Sequence, residues 1–153
     1  MHTVNDIANW FLKNTEKVTN KKLQKLVYYA YAWYLAFNNE SSNELQNRFF
    51  ENKFEAWVHG CVYPSLYAEY RQYGSEYIPP SEDEPASFSE DDLDVLTQVN
   101  EVYGGFNGNE LESICHGEAP WINARKGYGP YEPSHATISD VDIYEFYVAK
   151  MYG

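Results

Sequence analysis

Residues 19–38 constrain this chain more than any other stretch. Leu23, Leu26, Val27, Ala30, Tyr31, Tyr34 and Leu35 recur at steps of three and four, the spacing that gathers apolar groups on one side of an α-helix. Thr19 stands where an N-terminal cap belongs, and the polar run 38–43 ends the pattern. An isolated helix gains little from propensity alone. Other elements must therefore cover this stripe.

Several segments have the signals to do so. Thr3 with Asp6 three residues on reads as a cap ahead of Ile7, Trp10 and Phe11. Pro64 suits the first turn of a helix continued by Leu66, Tyr67, Tyr70 and Tyr73 to Gly74. Ser89 with Asp92 opens a stripe of Leu93, Leu96, Val99, Asn100 and Tyr103, stopped by Gly104-Gly105. Asn107 caps a helix with Leu111 and Ile114 inward, and Pro120 opens a short one through Arg125. Ser139 with Asp142 caps the last, which carries Val141, Tyr144, Phe146, Tyr147 and Val148. Phe54 to Val58 is too short for a helix and reads as extended before a turn at Gly60. The prolines and acids of 78–85 mark a surface loop. The expected fold is mainly α: a compact single-domain bundle of about six or seven helices over residues 1–153. It would carry at most a short extended segment near 54–58 and a variable acidic loop at about 76–88.

Charge divides the chain unevenly. Residues 1–28 hold five lysines and two acids, whereas residues 72–124 hold twelve acids and no Lys or Arg. A net charge of −12 opposes broad nucleic-acid binding, which needs cations facing phosphates. The five lysines from Lys13 to Lys25 are the sole patch that would favour DNA, and none is an arginine, the commoner reader of guanine edges. The acidic stretch either keeps the chain soluble or attracts a basic partner and speeds encounter. No apolar run approaches the length of a membrane span, and Met1 is followed by a polar stretch rather than an apolar leader. With two cysteines, too few for a disulfide scaffold, the reading is a cytoplasmic protein that needs no membrane.

Two segments, Phe54 to Gly74 and Cys115 to Gly127, concentrate Trp, His, Gly and Pro beside charges. Glycine and proline fix turns there, and tryptophan brings an apolar body whose donor needs a partner. Trp57 and Trp121 read as core anchors or interface groups. His116 either bridges the helix junction before Pro120 or meets a partner. Arg125 either complements a helix dipole or forms a buried ion pair. Lys25 sits beside the apolar stripe, so its stem is expected to snorkel while its ammonium pairs with an acid.

Catalytic chemistry has little support. His59, Cys61, Cys115 and His116 offer ligand types for zinc, but the H-x-C and C-H spacings fit no finger or ribbon. A Cys/His nucleophile pair needs an activated thiolate, and Cys115 falls at the inner end of a helical stripe where structural cysteines are common. There is no nucleophile elbow, phosphate-cradling glycine loop or H-E-x-x-H. No cofactor, metal or catalytic residue is assigned.

Three signatures in order resemble the Panacea domain of SocA-like antitoxins and GepA-type phage-associated proteins. The first is the Lys-Leu-Gln-Lys-Leu opening of the long helix, with Lys22, Leu23, Lys25 and Leu26. The second is the turn Trp-x-x-Gly-x-Val-x-Pro, here Trp57, Gly60, Val62 and Pro64. The third is His-x-Glu-x-Pro-Trp-x-x-Ala-Arg, here His116, Glu118, Pro120, Trp121, Ala124 and Arg125. The chain departs from the family at Cys61, where proline is usual, and at Cys115, where threonine is frequent. If the segments meet, the two cysteines are expected to pack as small apolar groups.

The resemblance implies a helical domain that works by protein contact. It predicts an antitoxin-like module neutralising a cognate toxin encoded nearby. A phage or prophage effector that binds a host protein is the alternative, and a proteolytic adaptor for a toxin the second. Candidate partner contacts are the exposed members of Tyr63, Tyr67, Tyr70, Trp121 and Tyr128.

Overall fold

The computed structural model describes residues 1–153. In chain order it contains α1 (Val4–Asn14), α2 (Asn20–Phe37), β1 (Glu55–Trp57), β2 (Gly60–Val62), α3 (Pro64–Tyr70), α4 (Glu90–Tyr103), α5 (Gly108–His116), α6 (Ala119–Ala124) and α7 (Asp140–Tyr152). One 3₁₀ turn, Arg71–Tyr73, extends α3. The mainly α expectation holds.

Helices begin where the local signals place them. The Thr3 hydroxyl accepts from the Asp6 amide while the Asp6 carboxylate accepts from the Thr3 amide, and Asn107 with Glu110 repeats this reciprocal arrangement. Thr19, Ser89 and Ser139 accept from the amides of Lys22, Asp92 and Asp142. Each cap satisfies an amide that the helix itself leaves unpaired.

Helix α2 is the axis of the molecule, packed by α1, α3, α4, α5, α7 and β2. Its burial goes beyond the expected stripe. Lys22, Gln24, Lys25, Tyr28, Tyr29 and Ala32 are buried as well, whereas Tyr34 is half-buried. A helix packed by six elements keeps little solvent face, whatever its periodicity. Buried Gln24 is paired inside: it accepts from the Tyr63 amide at 2.9 Å and donates to Asn20 at 2.9 Å. Thirty-five buried residues form the core cluster around it. Tyrosine rings fill much of this core; Tyr29 stacks on Tyr103 with centroids 4.0 Å apart, and Trp33 donates to the Tyr103 hydroxyl.

The extended segment near 54–58 is one arm of a hairpin. β1 pairs antiparallel with β2, Ala56 opposite Cys61, so the extended structure runs further than the sequence reading allowed. Burial explains the second arm, since Gly60, Cys61 and Val62 are all buried and show no alternation to read. Residues 136–138 lie along the other edge of β1, with Ala56 N–H donating to Ala136 and Ile138 N–H to Phe54. The segment between α2 and β1 has no helix, yet it delivers Leu45, Phe49, Phe50 and Phe54 to the core. In the acidic loop, Ile78 is buried and its amide donates to the Val18 carbonyl at 2.8 Å.

Candidate functional site

The three signature segments converge on the hairpin. Three consecutive carbonyls of β1 and its turn are taken by three side chains of the Cys115–Gly127 segment. Arg125 Nη1 donates to Ala56 O at 3.0 Å, Trp121 Nε1 to Trp57 O at 2.8 Å, and His116 Nε2 to Val58 O at 2.8 Å. A carbonyl only accepts, so His116 carries its proton on Nε2. Burial holds the His116 pKa below the ordinary histidine value, against the opposing effect of that bond. The His116 ring stacks on Trp121 at 4.2 Å, and the Arg125 guanidinium sits 5.3 Å from the same indole.

Arg125 is 6 % exposed and forms no ion pair. Its remaining donors reach Gly129 O at 2.9 Å and Glu132 O at 2.6 Å, closing the glycine-rich loop after α6. The buried-ion-pair option for this residue is thus replaced by a fork that gathers three carbonyls. His116 reaches the hairpin turn and stacks on Trp121, which packs against the core and stays partly exposed.

Lys25 also departs from expectation. Its stem does not snorkel to solvent and no acid pairs with it: the residue is 1 % exposed and passes beneath Gly60. Burial pulls its pKa below the ordinary lysine value, with Cys115 and Cys61 partly opposing that. Gly60 has φ +106°, a conformation open to glycine, and a Cβ there would fall 2.8 Å from Lys25 Cε. The first and second signatures are therefore one packing unit.

The cysteines meet: Cys61 Sγ and Cys115 Sγ lie 2.7 Å apart, both free and buried. Burial pushes the Cys61 thiol well up, the opposite of what an activated nucleophile needs. No group of three His, Cys, Asp or Glu is arranged to hold a metal ion. Glu118, 5 % exposed, accepts from Tyr147 OH at 2.7 Å and more distantly from Tyr29 OH, while its Oε2 has no hydrogen bond and lies 3.7 Å from the Lys150 ammonium. Burial raises its pKa, with Tyr147 and Lys150 opposing.

Two surface features bear on binding. A groove of about 930 Å³ runs between the start of α2, the hairpin, α3 and the 104–109 turn; Lys17, Lys21, Lys22 and Lys25 line it with Trp57 and Tyr67. Between α2 and α4, an apolar cleft of about 190 Å³ is bounded by Trp33, Phe37, Val95, Val99, Val102 and Tyr103. Phe37 and Val102 are well exposed there, and Asp91, Asp94 and Glu101 project from the same helix. Neither Phe37 nor Val102 stood out in the sequence, where an isolated apolar residue on a helix carries no signal of exposure. Among the predicted partner contacts, Tyr63 is 5 % exposed, its hydroxyl donating to Glu51 O, and it leaves the exposed set. Tyr67, Tyr70 and Trp121 are half-buried and Tyr128 is exposed.

A family model described as antitoxin SocA-like, Panacea domain, matches residues 23–122. No curated protein and no solved structure matches the chain. No helix is long and apolar enough to cross a membrane.

Proposed function

The chain belongs to the SocA-like antitoxin, Panacea domain family, and on that premise we propose that it is a binding module that neutralises a protein toxin by direct contact. The observation that carries this reading is the flank of α4. Apolar groups at Phe37 and Val102 border a cleft, and the acids Asp91, Asp94 and Glu101 stand on the same helix. An apolar centre with a charged rim is the anatomy of a protein interface, in which a few anchors supply the affinity and charge sets the encounter rate. The partner that fits is a protein with a basic face, such as a toxin's nucleotide- or RNA-binding surface.

Catalysis has no part in this reading. The signature residues His116, Trp121 and Arg125 spend their donors on backbone carbonyls of the hairpin and of the loop after α6, and the Cys61 thiol is held protonated by burial. The test is toxicity of the neighbouring gene in a bacterial host with and without this chain, followed by co-purification. Rescue with a stable complex supports the antitoxin role. Toxicity without rescue, or a non-toxic neighbour, overturns it and directs the search to a host protein as partner.

A further inference from the structure

We propose that the lysine-lined groove is a binding site for a small phosphate ester, with the phosphoryl group seated against Lys25. The site is separate from the α4 flank and does not rest on the antitoxin reading.

Lys25 is the first observation. It is 1 % exposed, lines the groove, and forms no hydrogen bond or ion pair. A buried cation without a partner is costly, and an apolar side chain of the same length would fill the volume without that cost. Lys22, one turn away, differs: its ammonium donates to Glu16 O and Gly104 O and serves the fold. Lys21 pairs with Glu112 at 2.9 Å. Of the two buried lysines, Lys25 alone has all its donors unspent.

The second observation is convergence of helix ends. The first residues of α2 (Asn20, Lys21) and of α5 (Gly108, Asn109) line the same groove. Amides at the first two positions of a helix have no partner within it, and the helix dipole places positive potential there. Two such termini and four lysines face two acids in the lining, Glu16 and Glu76, on a chain whose net charge is −12. The groove is thus positive where the molecule as a whole is strongly negative.

Size and rim select the ligand class. About 930 Å³ is far more than a lone anion occupies and falls within the range of small-molecule sites. Trp57, Tyr67, Tyr77 and Phe106 offer ring surface at the walls, with Trp57 edge-on to Tyr67 at 5.2 Å. A planar organic group would rest on these rings while its phosphate reaches the floor.

The intact chain is titrated with inorganic phosphate and with AMP at constant ionic strength, while the side-chain resonances of all lysines are followed by NMR. Saturable movement of the Lys25 signal is expected, with AMP binding about tenfold or more tighter than phosphate. Lys25→Met removes the binding; Lys126→Met, on an exposed loop away from the groove, leaves it unchanged. If Lys25→Met fails to fold, the wild-type resonances decide alone. A Lys25 signal that stays still at millimolar phosphate, or that moves only in parallel with Lys53 and Lys126, overturns the site. So does selective binding of an acidic peptide without phosphate binding.

Discussion

Lys25 occupies the space that a side chain on Gly60 would need: a Cβ built on Gly60 falls 2.8 Å from Lys25 Cε and 3.2 Å from Nζ. Two residues 35 positions apart therefore depend on each other, one by having no side chain and the other by filling the gap. Gly60→Ala should destabilise the protein by about 2–4 kcal/mol, from the strained φ and the overlap together. Pairing it with Lys25→Ala should return the steric part and leave the backbone part. Urea melts of the four proteins in that cycle measure the coupling; strict additivity would mean that the contact does not matter.

Arg125 ties β1 and the 129–132 loop to the end of α6 through three backbone carbonyls alone. Arg125→Met should cost about 3 kcal/mol or more, because buried Ala56 O loses its charged donor and the loop after α6 loses its clasp. Arg125→Lys should recover little of this, since an ammonium lacks the planar fork that meets carbonyls in different directions. Denaturation midpoints give the ranking. A lysine variant as stable as wild type would show that charge suffices.

The buried Glu118 carboxyl should make stability fall with rising pH. Its pKa is raised above 4.5 by burial, so in the folded state it holds its proton into a range where the unfolded chain has released it. That contribution is complete below the unfolded value and is lost as pH climbs through the folded one. Glu118→Gln is neutral throughout. Its advantage over wild type should widen from pH 4.5 upward and level off once Glu118 is ionised in both folded and unfolded chains. Thermal melts across that range check the slope, and parallel curves would refute the assignment.

Cys61 and Cys115 are both buried, and burial raises the Cys61 thiol. Neither should react with an aromatic disulfide reagent in the native protein over minutes, and both should react at once in denaturant. Reaction in the native state at a rate set by reagent concentration would mean that the hairpin opens readily.

On the α4 flank, Val102→Glu should leave the melting temperature close to wild type, because the residue is 60 % exposed. Partner affinity should nonetheless fall by about tenfold or more, as an apolar anchor becomes a charge. Charge reversal at Asp94 should mainly slow association and weaken its salt dependence. Surface plasmon resonance with the co-purified partner separates the two effects; unchanged binding in both variants places the interface elsewhere.

Features governed by neighbours within a few residues could be read directly from the sequence. Thr3, Thr19, Ser89, Asn107 and Ser139 cap helices by bonding amides three positions on, and both residues of each such bond lie in one short window. The three signatures were visible for the same reason, and with them the family. What they do was not visible. Gln24 reaches Tyr63 across 39 positions, Trp121 reaches Trp57 across 64, and the second hairpin strand is buried so completely that it has no pattern. Lys25 is the clearest case. Its place next to an apolar stripe implied a solvated end, but the elements packed around this part of α2 left the ammonium at the floor of a groove. Periodicity records the preference of each side chain for water or its absence. How many elements surround a helix, and therefore which preferences are overridden, is settled only when the whole chain packs.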